Sequence, residues 1–343
     1  MKKILLISAL LLALGLGIAA FVFLGGATGF DSKKETLYIA SGAASKGAVL
    51  DSLERRKIIT NSSAFNFLAG RMNYWERIRP GKYEIQKGAS LLSIVRMLRN
   101  GQQTPVSLVI TKLRTKAALA RLTGSRFEFD SAAMMDFLSS DSALAVYNLR
   151  SEEIMAFVLP DTYQALWTTS PGKVFQKLVE ESKKYWTAER KQKAERLGLT
   201  PIEVTTVASI VEEETNADAE KGNVASVYLN RVRIGMPLQA DPTVKFALND
   251  FSLKRIYEKH LQVESPYNTY RNRGLPPGPI CTPSKKTIDA VLNSPQTDYI
   301  YFVASPKFNG THEFSVSYSE HLSKARAYQA ALNRQDSIRK KLL

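Results

Sequence analysis

Thr200-Pro201-Ile202-Glu203-Val204-Thr205-Thr206-Val207-Ala208-Ser209-Ile210-Val211-Glu212-Glu213-Glu214-Thr215 is the stretch on which the reading of this chain turns. A hydroxyl at Thr200, a proline at the first helical position and a glutamate at the third predict a helix that opens with a capping box. Val204, Val207, Ala208 and Val211 recur at the i, i+3, i+4, i+7 spacing of one buried face. At about 100° per residue, the three closing acids diverge. Glu213 is expected to point away from the apolar face, Glu212 to lie at its margin, and Glu214 to fall between Ile210 and the Val207/Val211 line. A carboxyl set against apolar neighbours resists ionisation, so it can hold a proton near neutral pH, as a general acid must. A solvated, acid-rich helix end has the same composition, so the angular argument nominates Glu214 and goes no further.

The 343 residues suffice for one large or two modest domains, and 44% hydrophobic with 23% charged residues is globular rather than disordered composition. A net charge of +15 asks for a polyanionic partner or an anionic surface. No basic run is interleaved with aromatics and no nucleic-acid fold signature occurs, so nucleic acid is not expected as a partner. A membrane surface or an anionic wall polymer accounts for the charge equally well. With Cys281 the single cysteine, an internal disulfide is excluded.

Residues 4–26 are apolar except for Ser8 and follow Lys2 and Lys3. A run of about 20 such residues matches the hydrocarbon core of a bilayer, and only Gly25-Gly26-Ala27 approaches a cleavage site. The expectation is an uncleaved, single-pass anchor in the cytoplasmic membrane. Residues 1–3 would form a cytoplasmic tail and the remainder would lie outside the cytoplasm, although Lys33 and Lys34 sit on the opposite flank.

Beyond the anchor, residues 35–111 read as a small α+β module. Strands are expected at 36–40, after the Pro80-Gly81 turn, and at 105–111. Helices are expected near 48–53 and 63–68 and from Ser90 to Gly101. Residues 112–199 read as mostly helical, interrupted at Phe157–Tyr163, with one helix over 171–197. Further helices are expected up to Gly235, from Asp241 as N-cap, over 284–292 and from Ser319. A strand at 298–304 is expected to pair with one at 310–316. Between 264 and 284 lie five prolines, in a loop long enough to suggest function. The fold class is therefore α+β.

Three histidines without paired metal-ligand spacing argue against a metal site. Ser170-Lys173 and Ser337-Lys340 have a serine–lysine spacing but lack its partner motifs, and Cys281 has no evident base. What remains is Glu214 with Asn230, Gln239, Asp241, Tyr267, Asn268, Thr269 and Tyr270. Sugars stack on aromatic faces and pair their hydroxyls with planar polar groups, which this set supplies. On spacing alone, Tyr267 and Tyr270 serve equally well as core residues of a turn.

Several ordered motifs carry a resemblance: Ala208-Ser209-Ile210-Val211-Glu212-Glu213-Glu214-Thr215, Val224-Ala225-Ser226-Val227-Tyr228-Leu229-Asn230-Arg231, Gly235-Met236-Pro237-Leu238-Gln239-Ala240-Asp241-Pro242-Thr243-Val244, Pro266-Tyr267-Asn268-Thr269-Tyr270 and Gly274-Leu275-Pro276-Pro277-Gly278-Pro279-Ile280. With Tyr299-Ile300-Tyr301-Phe302-Val303 and His312-Glu313-Phe314, they resemble the endolytic murein transglycosylase family (MltG, or YceG-like). The resemblance implies a LysM-like module at 35–111, a catalytic domain at 112–343, Glu214 as the catalytic acid and no cofactor. It departs from the family's pattern at Met155-Ala156, where many members carry Glu-Gly, and at Leu322, where an asparagine often stands.

The implied reaction cleaves the β-1,4 bond between N-acetylmuramic acid and N-acetylglucosamine within a glycan strand and leaves a 1,6-anhydro end. That would terminate elongation of a nascent strand. Expected partners are peptidoglycan strands, the cytoplasmic membrane and peptidoglycan synthases. Two rivals stand beside it: a muramidase in which water attacks, with Asp241 as base, and a non-catalytic glycan-binding scaffold.

Overall fold

The computed structural model describes residues 2–341, so Met1, Leu342 and Leu343, at the ends of the expected tail and last domain, lie outside the described residues. The first element, α1 (Lys2–Leu24), is a 23-residue helix with no buried residue, long and apolar enough to cross a bilayer. Among the described residues the remaining chain is mixed α+β, with helices and three two-stranded sheets. It divides into two compact units.

The first unit comprises the chain up to Leu108 together with Gly124–Asp130 and Gln164–Ser170. It runs β1 (Lys34–Ile39), α2 (Lys46–Arg55), α3 (Ser62–Arg71), β2 (Gly81–Gln86) and α4 (Leu91–Asn100). β1 and β2 are antiparallel, with Leu37 opposite Tyr83. Alternate residues of β2 are buried, which places Tyr83 and Ile85 on one face over Leu53, Phe65 and Ile94. Each such burial contributes about 1.5–3 kcal/mol of transfer free energy. Local chemistry sets the helix ends. The side chains of Ser45, Asn61 and Ser90 accept hydrogen bonds from amides three residues on, and Gly101 closes α4 at φ 67°, where a side chain would be strained.

Before the acid-bearing helix come β3 (Val106–Ile110), α5 (Lys116–Gly124), α6 (Ser131–Ser139), α7 (Asp141–Ala145), β4 (Asp161–Ala165), α8 (Pro171–Tyr185) and α9 (Ala188–Arg196). The single helix expected over 171–197 is two, because the Thr187 hydroxyl accepts from the Arg190 amide and starts α9 anew. Next come α10 (Pro201–Glu214), α11 (Lys221–Arg233), α12 (Asp241–Ala247), α13 (Glu258–Leu261), α14 (Lys285–Leu292), β5 (Tyr301–Ala304), β6 (His312–Ser315) and α15 (Tyr318–Lys341). β5 and β6 form the expected antiparallel hairpin.

The second unit is built on α10. Its Val204, Val207, Ala208, Ile210 and Val211 pack with Val224, Ala225 and Tyr228 of α11 and with Ile288, Val291 and Leu292 of α14. The one-faced reading of α10 needs correction, since every residue from Val204 to Val211 is buried. The polar ones can be buried because their hydroxyls are satisfied locally. Thr205 donates to the Pro201 carbonyl at 2.8 Å, Thr206 to Ile202 at 2.9 Å and Ser209 to Thr206 at 2.7 Å. Ser209 also accepts the Ile280 amide at 3.0 Å, which ties the proline loop to the helix. In that loop a Cβ at Gly278 would collide with the Glu152 carbonyl, so only glycine permits the approach.

The capping box of α10 is present, with the Thr200 hydroxyl accepting the Glu203 amide at 3.2 Å and the Glu203 carboxylate accepting the Thr200 amide at 2.7 Å. Thr200→Ala removes one half of it and is expected to cost about 1 kcal/mol, seen as a lower denaturation midpoint of the second unit. An unchanged midpoint would mean that the box does not set the start of this helix.

Candidate active site

The three acids at the end of α10 emerge from a helix with no solvated side, so each must meet protein. Glu212 accepts from the Lys221 ammonium at 3.2 Å and from Ser284 at 3.2 Å, with Thr287 also in contact. Glu213, expected to point away from the apolar face of its helix, has a side chain only 15% exposed and is held by Arg114 through two bonds of 3.1 and 2.8 Å, with Lys112 at 3.2 Å. Burial works to raise the Glu213 pKa, but the two cations outweigh it and hold the carboxyl below the usual range.

Glu214 has no such partner. Among the described residues no cation lies within ion-pair distance of it, and its one side-chain hydrogen bond is from the Tyr228 hydroxyl at 3.3 Å. Although the residue keeps some exposed surface, its carboxyl is closed in by protein. Burial raises its pKa, assisted by the negative charge of Asp241. His312, the Tyr228 hydrogen bond and Lys245 pull the other way without prevailing. The acid that the helical angles selected is therefore the one held in the protonated direction.

The expected sugar-binding residues fall into two groups. Asn230, Asn268 and Thr269 are buried and committed to the frame. The Asn230 amide donates to the Thr297 and Tyr299 carbonyls at 2.7 and 2.9 Å. The Asn268 amide donates to those of Leu261 and Val263 at 2.8 and 2.9 Å. The Thr269 hydroxyl accepts the Ala240 amide at 3.0 Å and lies 2.8 Å from that of Thr243. Gln239 and Asp241 are exposed, and Tyr270 and Tyr267 are half-buried.

Gln239 adopts a left-handed backbone at φ 49°, pinned by its amide to the Thr269 carbonyl at 3.1 Å, and its side chain is turned to solvent. A non-glycine residue in that region costs on the order of 1–3 kcal/mol and is characteristic of ligand clamps. Asp241 is not the N-cap of α12. That place falls to Ala240, and the Asp241 carboxylate accepts the Tyr270 hydroxyl at 2.6 Å instead. Tyr267 packs on Phe246 with ring centres 4.6 Å apart, and it lines a cavity of about 250 Å³ with Lys116, Glu152 and Met155. Cys281 is buried, its thiol held well above the usual range by burial, so it is not a poised thiolate.

Three features escaped the sequence reading. Arg114 and Lys112 lie about a hundred positions before Glu213, and Arg231 is buried with its guanidinium donating to the Ile300 and Leu238 carbonyls at 2.7 and 2.6 Å. Glu220 holds His312 through two contacts of 2.8 Å. Glu213 with Arg114 and Glu220 with His312 are 99 and 92 positions apart, so no local spacing connects them, and of Lys112, Arg114, Glu220, Arg231 and His312 only the last two fall within the quoted motifs.

An apolar first helix, a small β-α-α-β unit and an α+β unit with an unpaired carboxyl at the end of a buried helix define the class of mixed α+β architecture. The chain belongs to the YceG-like family, whose model matches residues 37–327. A Bacillus subtilis protein named endolytic murein transglycosylase is 28% identical over 326 residues, covering 88% of this chain and 87% of that protein. The Streptococcus pneumoniae protein of the same name is 26% identical, covering 74% of this chain and 51% of its own length. The crystal structure of a YceG-like protein from Listeria monocytogenes superposes with a TM-score of 0.54 at 26% identity, covering 85% of this chain and 99% of that one.

A carboxyl whose folded-state pKa exceeds its unfolded value contributes stability that is complete below about pH 4.3 and lost as pH rises through the folded value. Glu214→Gln, neutral throughout, is expected to melt above the wild type near neutral and higher pH, with the gap closing towards about pH 4. A wild type that melts at or above the variant across the whole range would contradict the raised pKa.

Proposed function

We propose that this chain is a membrane-anchored, endolytic lytic transglycosylase of peptidoglycan. The observation that carries the reading is the Glu214 carboxyl, closed in by protein and the only one of three adjacent acids without a cation. The names of the Bacillus and Streptococcus relatives give the substrate class.

In the proposed reaction, protonated Glu214 donates to the glycosidic oxygen as the bond from muramyl C1 breaks, so the leaving sugar departs with a free hydroxyl. The muramyl C6 hydroxyl then attacks C1, and the Glu214 carboxylate takes its proton. The new C1–O6 bond closes a 1,6-anhydro ring, and the acid is restored to its starting state. One residue serves as acid and then as base, a role suited to a pKa near the working pH. Hydrolytic glycosidases need a second carboxylate to activate water or to attack C1; intramolecular attack does not. Asp241, bound to the Tyr270 hydroxyl, would shape the cleft and raise the proton affinity of Glu214. Gln239, Tyr267 and Tyr270 would meet sugar. Asn230, Asn268 and Thr269 would hold the loops that present them.

Anchoring by α1 would place both units outside the cytoplasm, where the substrate is made. The β-α-α-β unit, with paired outer strands, is the proposed LysM-like module that would bind a glycan strand. The +15 charge suits work beside anionic lipid and wall polymer.

The test is digestion of purified peptidoglycan by the full chain in detergent, read by mass spectrometry. The wild type is expected to release internal fragments with anhydro ends, one water lighter than hydrolytic products. Glu214→Gln is expected to lower the rate by a factor of at least about 10²–10⁴, the usual contribution of a general acid. Reducing ends would instead favour the water-attack reading, and equal product from Glu214→Gln would remove the acid from the mechanism.

A further inference from the structure

Immediately beyond Glu214, a second carboxylate joins three segments. Glu220 ends a short 3₁₀ turn (Asp218–Glu220) and is 7% exposed. Its Oε1 accepts the Thr215 hydroxyl at 2.6 Å and lies 2.8 Å from His312 Nδ1, while its Oε2 accepts the His312 amide at 2.8 Å. Thr215 is the residue after Glu214, and His312 opens β6. One carboxylate thus ties the end of the acid-bearing helix to a hairpin nearly a hundred positions away.

Burial works against ionisation of Glu220, but these hydrogen bonds prevail and hold its pKa below the usual range. An ionised oxygen only accepts, so Nδ1 must carry a proton towards it, which fixes the tautomer of the ring. Carboxylates that fix an imidazole's tautomer in this way are a recurring means of orienting a functional histidine. The ring itself is 15% exposed and stands edge-on to Phe302 at 5.2 Å.

Charged or titratable groups from several elements bear on Glu214: Tyr228 and Arg231 of α11, Asp241 and Lys245 of α12, Tyr270 of the loop, and His312 of β6. Of the groups acting on its carboxyl, His312 exerts the strongest pull towards the ionised form, second in size only to burial. Lys112 and Arg114 are occupied by Glu213, and Lys221 by Glu212 and Asp218.

We propose that Glu220 and His312 are a positioning dyad for the Glu214 reaction. Glu220 fixes the tautomer and place of the ring while holding the hydroxyl of Thr215, the residue after the acid, and the ring favours the ionised form of Glu214 when it must give up its proton. The inference rests on the transglycosylase reading and adds residues to it. A buried acid left wholly uncompensated would hold its proton too firmly to donate it. A permanent cation, such as those on Glu212 and Glu213, would leave it without a proton to give. The His312 imidazole, held by Glu220 and making no ion pair with Glu214, lies between these extremes.

The test uses the full chain in detergent with purified peptidoglycan, comparing wild type, His312→Asn, Glu220→Gln and the double variant. Asparagine at 312 keeps a donor for Glu220 but cannot become charged. Its pH–rate limb for loss of the Glu214 proton is expected to move to higher pH, because a group favouring ionisation has been removed. kcat is expected to fall on the order of tenfold, with KM changing by less than about twofold, as for loss of assistance to a proton transfer. The double variant is expected to be no slower than His312→Asn, since Glu220 acts through the ring. A folded His312→Asn with wild-type kcat and profile would overturn the dyad, as would losses that multiply in the double variant. If Glu220→Gln does not fold, the His312→Asn profile decides. If wild type itself releases no fragments, the transglycosylase reading fails on its own. The carboxyl ¹³C titration of Glu214, assigned with Glu214→Gln, then tests the dyad: an upward shift in His312→Asn supports it and an unchanged titration refutes it.

Discussion

A helix buried on every side that ends in three consecutive carboxylates poses one electrostatic problem, and the second unit is arranged around its solution. Charge in a low-dielectric setting must be paired, neutralised or exposed. Glu212 is paired by Lys221 of the next helix, and Glu213 by Lys112 and Arg114 from the segment that enters the unit. For Glu214 the fold provides a tyrosine hydroxyl and nearby charges of both signs but no ion pair, so burial prevails and raises its pKa. Reactivity follows from where compensation is withheld.

Holding that acid in place requires a rigid surround, and most of the polar residues near it serve the frame. Thr205, Thr206 and Ser209 return their hydroxyls to the α10 backbone, which lets the helix run through the core without stranded polar groups. Asn230, Asn268 and Thr269 stitch loops to helices through backbone carbonyls and amides. The strained backbone at Gln239 and the carboxylate–phenol pair of Asp241 and Tyr270 are then presented outward from a fixed base. Such division of labour is expected where reacting groups must be held within fractions of an ångström.

The elements were largely legible because their signals are local. The caps at Thr200, Ser90 and Ser284, the glycine stop at Gly101 and the β5–β6 hairpin all lie where turn and cap chemistry places them. Two local readings went astray for identifiable reasons. Thr187 restarts a helix within a stretch whose charge pattern reads as continuous, and Asp241 turns from a cap to Tyr270 because a stronger partner is within reach. The return of Gly124–Asp130 and Gln164–Ser170 to the first unit leaves no trace in composition or periodicity.

The amino-acid sequence by itself determined the apolar first helix, the α+β character, the capped helix at Thr200 and the choice of Glu214 among three acids. Each depends on neighbours within about one or two helical turns. Only the tertiary structure decided that α10 is enclosed all round, that Glu213 is paired with Lys112 and Arg114, and that Glu220 joins His312 to Thr215, the residue after the acid. Those outcomes depend on desolvation and on charges brought together from some 90–100 positions away, separations across which no periodicity is carried.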